Sequence, residues 1–313
     1  MPKIKLKSGT ALPMSGIGTD GFSNESELLS SLEEAYYLGI ELIDTATGYQ
    51  NHSTITKFLD KHKRENFFIC TKFNNGDLLQ NENIDDTVNK ILQDLNTEYI
   101  DLLLIHNPAV ENFPRVFGEL IKLKETGKIK SLGVSNFTEK HLKQLEDNIS
   151  HVDVNQVEFH PFLYQKNLFE FCKSNGITLM ASRPFCKGEA LVNDTIQNIA
   201  SNHNKRPSQV ILRWLHQQGI VPIPKSSNKT HLDENFNFED FTLTDEEMKS
   251  IGNLNKCYRT CTGPWADFDD NQQHTACSYA DNNLSLVNNE EFGGASSSKL
   301  VEDGLPKGCS PTT

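Results

Sequence analysis

Eight short apolar runs of β character alternate with amphipathic stretches through most of the 313 residues, and few architectures accept that order. The runs are MSGIG (14–18), ELIDTA (41–46), FFICTK (67–72), YIDLLLIH (99–106), KSLGVSN (130–136), VDVNQVEF (152–159), TLMASRPF (178–185) and IVPIPKS (220–226). The inner ones are continuously apolar, as parallel strands covered on both faces should be. Between them SELLSSLEEAYYLG, IDDTVNKILQDL, FGELIKLKETGK and LKQLEDNI read as helices; Leu29, Leu32 and Ala35 show the spacing in the first. Gly127 and Gly176 stand where helices should stop. Eight such units predict a (β/α)8 TIM barrel. KIKLKSGTALP, ahead of the first strand, predicts a hairpin over the barrel floor. DFTLTDEEMKSIGNL predicts an added helix, capped by Thr244 with Glu247 at capping-box spacing.

The barrel is expected over residues 1–270, and 271–313, rich in Asn, Ser, Gly and acids without a sustained period, as a loosely ordered C-terminal tail. Net charge is −12 with no long basic stretch, which argues against nucleic acid as a partner. The N-terminus lacks the apolar core of a signal peptide. No apolar run approaches the roughly 20 residues of a membrane helix. A cytoplasmic chain with no membrane partner is expected. The seven cysteines are scattered and suit reduced thiols better than a disulfide framework. Cys257 and Cys261 have no second Cys/His pair at metal-site spacing, so no metal is expected. Gly16-Ile17-Gly18-Thr19-Asp20-Gly21 spells GxGxxG, the pyrophosphate turn of a Rossmann fold. The run before it is short and broken by Pro13, so the tight first turn of a barrel accounts for it better.

In such a barrel the C-terminal ends of the strands share one rim. Here they carry Asp44, Lys72 and His106, with Tyr49 in the loop after Asp44. The later strands add Ser135 and Asn136, Asn155 and Gln156, Ser182 and Arg183, Lys225 and Ser226. Singly, Asp44 could cap a loop, Lys72 could be a surface residue and His106 a satisfied core histidine. Together they gather charge at one end of apolar strands, which exclude it unless it is paired or used. A phenol, an ammonium, a carboxylate and an imidazole at one rim would make a proton-donating site suited to carbonyl reduction.

IDTATGY, the TK of ICTKF, LIHNP, GVSNF, VNQVEFHP and IPKSSNKTHLDENF resemble the successive motifs of the aldo-keto reductase family, in family order over roughly residues 5–260. The resemblance implies an NADPH-dependent oxidoreductase, preferring NADPH to NADH, that reduces a small-molecule aldehyde or ketone to an alcohol and acts as a monomer. It implies Tyr49 as general acid, Lys72 as the cation that lowers its pKa, Asp44 as the holder of Lys72, and His106 as the group that orients the carbonyl. Moving a phenol from about 10 to about 7 needs roughly 4 kcal/mol, which one contact cation at an effective dielectric of about 20 supplies. By the same resemblance Ser135, Asn136 and Gln156 hold the nicotinamide carboxamide. Lys225 and Ser226 hold the 2′-phosphate of NADP, with His231 where the family has arginine, and Glu234 and Asn235 face the adenine. His160 is read as structural and Cys70 as core packing.

This chain also departs from the family. Where the family has Ala-Tyr-Ser-Pro-Leu it reads Ala181-Ser182-Arg183-Pro184-Phe185. Ser182 cannot stack under a nicotinamide as the usual aromatic does, so either weaker cofactor binding or another residue such as Phe185 filling the floor is expected. Arg183, near the expected pyrophosphate, is placed to pair with phosphate or with a neighbouring carboxylate. Asp20 replaces a family tryptophan at the pocket and should disfavour anionic substrates. Short loops after strands four and seven imply an open pocket, closed on one side by Cys257 to Asp270 with Trp265 and Phe268. The alternative function on the same barrel is a non-catalytic NADPH-binding regulatory subunit.

Overall fold

Inward and outward residues alternate along every barrel strand, and this period of two decides which side chains reach the rim. The structure, a computed structural model, describes residues 2–80 and 83–261. An antiparallel hairpin, β1 (Lys3–Lys5) and β2 (Ala11–Pro13), precedes the barrel. The barrel strands are β3 (Gly16–Gly18), β4 (Leu42–Asp44), β5 (Phe68–Phe73), β6 (Ile100–Ile105), β7 (Ile129–Ser135), β8 (Val154–Glu158), β9 (Thr178–Ser182) and β10 (Val221–Ile223). All eight are parallel and neighbour one another in chain order. The seam between the first and last is bridged where Gly18 N–H donates to Pro224 C=O at 3.0 Å. The expected (β/α)8 barrel and its N-terminal hairpin are therefore present, and the GxGxxG stretch is spent on the first barrel strand and its turn.

One apolar cluster fills the barrel: Leu42, Phe68, Cys70, Leu102, Leu104, Val154, Met180, Val221 and Ile223, joined by Leu6, Leu12 and Met14 from the hairpin region. The hairpin thus plugs the N-terminal floor. A second, larger cluster lies between sheet and helices and includes Ile17, Ile43, Ile69, Leu103, Leu132 and Leu179 from the alternate strand positions. The added helix runs Asp245–Gly252 with the expected capping box between Thr244 and Glu247.

Three expectations change. LKQLEDNI is not one helix: α-helix ends at Lys143, Glu146 takes φ +50°, and 3-10 turns continue to His151. Strand seven stops at Ser182, because Arg183 adopts φ +51° and turns the chain out of the sheet. Among the cysteines, Cys70, Cys172 and Cys186 are free thiols, whereas Cys257 is disulfide-bonded. The expected tail at 271–313 lies outside the described residues. No helix among the described residues is long and apolar enough to cross a membrane.

Gly133 sits where β6, β7 and β8 crowd. A Cβ there would strike the Val154 carbonyl oxygen and approach Leu104 Cδ2 at 2.6 Å. The leucine can move but the backbone cannot without breaking register. Gly133→Ala is expected to cost about 1–3 kcal/mol, the usual range for overpacking, read from the urea unfolding midpoint. A wild-type midpoint would show that the strands can spread here.

Candidate active site

The last inward positions of successive strands include Asp44 on β4, Lys72 on β5, Ser135 on β7 and Ser182 on β9, and Gln156 is the inward position before the last on β8. His106 follows β6 directly, anchored by its N–H on the Phe73 carbonyl at 2.9 Å. Tyr49 is carried on a 3-10 turn, Thr47–Tyr49, closed by Gln50 in the left-handed region. Two ties hold that turn: Thr47 Oγ1 donates to Asp77 Oδ2 at 2.7 Å, and Thr45 Oγ1 to Asn51 Oδ1 at 2.7 Å. Asn51 Nδ2 in turn donates to the Thr19 carbonyl at 2.9 Å.

These elements bring four of the sequence candidates together. Lys72 Nζ, wholly buried, donates to both Asp44 oxygens at 2.9 and 2.8 Å, to the Thr45 carbonyl at 2.9 Å and to Tyr49 OH at 3.3 Å. Gln156 Nε2 reaches across the barrel to Asp44 Oδ1 at 2.6 Å. The His106 ring meets the Tyr49 ring edge-on at 5.8 Å between centroids. Its Nδ1 is buried with no hydrogen-bond partner among the described residues.

Burial by itself would strip Lys72 of its proton. The Asp44 carboxylate, with smaller help from Tyr49 and Cys70, outweighs that and raises its pKa, so Lys72 is a fixed cation. Tyr49 does not follow the expectation that Lys72 draws it toward neutrality. Burial pushes the phenol up, Lys72 only partly opposes this, and Asp44 and Asp20 add to the rise. The reason is geometric: an ammonium clasped by a carboxylate acts on a third group as a dipole rather than a bare charge. His106 is pushed down to about 3, first by burial and then by the Lys72 charge, and stays neutral at ordinary pH.

Above these groups opens a cavity of about 590 Å³, in the usual size range of small-molecule sites. Asp44, Tyr49 and His106 line it with Ser135, Asn136 and Gln156, while Ser182, Arg183 and Lys225 come from the later strands. Asn136, at φ +61°, donates to the His106 carbonyl at 3.0 Å, and Ser135 Oγ donates to the Gln156 backbone carbonyl at 2.9 Å. Asn155, by contrast, turns away and donates to the Phe137 carbonyl.

The rest of the expected cofactor set stands apart from this cavity. Ser226 lies in the turn after β10, and His231, Glu234 and Asn235 lie on the following helix, Lys229–Phe236. His231 is exposed, Asn235 is buried, and Glu234 is engaged by Arg206 at 3.1 Å. Lys225 Nζ donates to the Gly21 carbonyl at 2.7 Å and rests over the Phe22 ring. Arg183 Nη1 donates to the Thr260 carbonyl at 3.4 Å, and its charge acts on the neighbouring Asp20 carboxyl, opposing the rise in its pKa.

The loop after strand seven is not short. Arg183, Phe185, Lys187, Gly188 and Leu191 form one cavity wall, against the expectation of an open pocket on that side. Of the expected C-terminal wall, Cys261 lines the cavity, while Trp265 and Phe268 lie outside the described residues. Asp20 also lines it without a hydrogen-bond partner among the described residues, and burial, more than the opposing Arg183 charge, raises its pKa.

One residue escaped the sequence reading. Glu158, the last residue of β8 and wholly buried, accepts hydrogen bonds from His160, Thr260 and Cys261. It lay inside a quoted motif. The available signal was a glutamate at an inward strand position, which has to find donors or remain uncharged.

Comparison with known proteins assigns the family. A model described as the Aldo/keto reductase family matches residues 9–256. Glyoxal reductase of Bacillus subtilis is 39% identical over 267 residues, covering 83% of this chain and 95% of that protein. An aldo-keto reductase from a Medee basin deep-sea metagenome superposes with a TM-score of 0.78 at 35% identity, over 83% of this chain and 97% of that one. A Bombyx mori aldo-keto reductase in complex with NADP superposes with a TM-score of 0.79 at 28% identity, over 86% and 97% of the two chains. The chain belongs to the aldo/keto reductase family.

Burial, as the largest cause, lowers the pKa of four histidines among the described residues: His106 to about 3, His52 and His141 each to about 4, and His216 in the same direction. Each takes up a proton on unfolding at any pH between its folded value and the unfolded value of about 6.5. The unfolded chain then binds more protons, so stability falls as pH drops through this window. The urea midpoint is expected to decline from pH 7 to pH 5, and less steeply in His106→Asn. Equal slopes would remove His106 from the linkage.

Proposed function

We propose that the protein is an NADPH-dependent reductase of small aldehydes and ketones, with Tyr49 as proton donor. The observation that carries this is the contact of the Tyr49 hydroxyl with an ammonium that Asp44 holds charged and in place, 3.3 Å away at the cavity wall. When bound, the reduced nicotinamide supplies hydride to the carbonyl carbon. The carbonyl oxygen then gains alkoxide character and takes the Tyr49 proton. A phenol with a raised pKa remains fully loaded at neutral pH, and an alkoxide is a stronger base than a phenolate. Lys72 stabilises the phenolate left behind. His106, being neutral, can hydrogen-bond the substrate oxygen without adding a second cation beside Lys72.

The cavity suits the nicotinamide end of the cofactor in this reading. The side-chain carbonyl oxygens of Asn136 and Gln156 accept no hydrogen bond among the described residues, which leaves acceptors for a carboxamide, with Ser135 beside them. Ser182 presents no ring to stack on, and Phe185 on the adjoining wall is the substitute. Arg183 stands near the pyrophosphate. Lys225, Ser226 and His231 would receive the 2′-phosphate and favour NADPH over NADH, with Glu234 and Asn235 toward the adenine. By analogy with the glyoxal reductase relative, small carbonyl compounds are the first substrates to assay.

NADPH oxidation with glyoxal and a panel of aliphatic and aromatic aldehydes is the direct test. Tyr49→Phe should lose about 10²–10⁴ in kcat, the usual worth of a positioned proton donor. NADPH binding without turnover in the wild type would instead favour a cofactor-sensing regulatory subunit.

Asp20 sets a second expectation. A carboxylate on the cavity wall, with no hydrogen-bond partner among the described residues, repels a carboxylate on the substrate. Asp20→Ala should therefore raise kcat/KM for keto acids relative to neutral aldehydes by about tenfold, one close like-charge contact at an effective dielectric of about 20 being worth at least that. An unchanged ratio would place the substrate's far end away from Asp20.

A further inference from the structure

We propose that Glu158 is the positioning residue that fixes the segment Tyr258–Cys261 as a wall of the substrate pocket. Its side chain takes the next inward position on β8 after Gln156, so it faces the barrel mouth. It is 1% exposed, yet it lies at the rim where the chain should meet solvent. What covers it is the segment that follows the added helix, more than one hundred residues further along the chain.

The contacts are specific. Oε1 accepts from His160 Nε2 at 2.9 Å, from Thr260 N–H at 2.8 Å and from Thr260 Oγ1 at 2.7 Å, and Oε2 accepts from Cys261 N–H at 2.8 Å. Three of these four donors belong to the segment. Burial opposes the charge on Glu158, but the His160 and Thr260 donors overcome it and hold the carboxyl at about 2. Lifting the segment would take three of four charge-assisted hydrogen bonds from this carboxylate and leave it that of His160.

Further contacts run the same way. Lys256 and Tyr258 both donate their backbone N–H to the Phe162 carbonyl, at 3.2 and 2.9 Å. Tyr258 OH donates to Glu189 Oε1 at 3.0 Å, tying the segment to the loop after strand seven. Arg183, next in the chain to the cross-strand neighbour of Glu158, adds its bond to the Thr260 carbonyl. Cys261 then faces the cavity. Glu158 touches neither Tyr49 nor Lys72 among the described contacts, so it acts on the pocket through the segment alone.

The test uses the full chain carrying Glu158→Gln, which keeps the shape and removes the charge. In one arm, mild trypsin treatment with mass spectrometry follows the cut after Arg259. This cut should speed up about tenfold or more, as loss of charge-assisted hydrogen bonds implies. In the other arm, KM for the aldehyde should rise about tenfold while kcat stays within about twofold, the pattern of lost binding without lost chemistry. Thr260→Val, which removes one donor and keeps the volume, should move both readings in the same direction by less, and it decides the matter if Glu158→Gln does not fold. Wild-type cleavage in the variants would overturn the proposal, as would unchanged KM in active enzyme. The second arm rests on the reductase reading. If the wild type itself turns over no carbonyl, that reading fails, and the cleavage arm still decides the anchor.

Discussion

The buried pair of Lys72 and Asp44 is the constraint from which the rim is organised. An ammonium with no exposed surface is tolerable only if its donors are all taken and its charge is matched. Here the three protons are shared among four acceptors: the two Asp44 oxygens, the Thr45 carbonyl and the Tyr49 hydroxyl. Asp44 is then completed by Gln156 from the far side of the barrel. The pair therefore joins β4, β5 and β8 across the mouth, where strands have run out of ladder bonds. An apolar pair of similar volume would fold at least as well, since buried ion pairs are commonly neutral or unfavourable against such replacements. The presence of the charge argues for a use beyond stability.

The same pair explains why Tyr49 is not made acidic. A lone cation at contact distance would favour phenolate strongly. A cation already clasped by a carboxylate, with a second carboxylate at Asp20, favours it weakly, and burial wins. The balance shifts only when negative charge develops on a substrate oxygen at the cavity. A donor that keeps its proton until that moment is better matched to reduction than one half-ionised at rest.

Much of this was legible in the sequence because it depends on short-range periodicity. Alternation along ELIDTA, FFICTK and VDVNQVEF puts Asp44, Lys72 and Gln156 on one face of their strands, and parallel pairing in chain order then puts them at one end. The barrel, its hairpin and the capped helix at Thr244 follow from the same local rules. LKQLEDNI misled because its apolar spacing is helical, while Glu146 in the left-handed region interrupts the turn, a choice its composition does not announce. Strand seven misled in the same way at Arg183.

What was not legible depends on contacts between distant segments. Nothing in CYRTC announces that its backbone amides will close over a glutamate at the end of β8, because a backbone N–H carries no sequence signal. Glu158 could be flagged as an inward carboxylate in need of donors, but His160 alone would have satisfied a reader looking nearby. Arg183 is similar: its charge suggested an anion, but nothing local announced that it would also reach a carbonyl on the segment that Glu158 holds. The two residues meet on the peptide that joins Thr260 to Cys261, Glu158 taking the Cys261 N–H and Arg183 binding the Thr260 carbonyl. One peptide unit is thereby gripped at both ends of its dipole. The wall it belongs to is accordingly built into the barrel rather than laid over it.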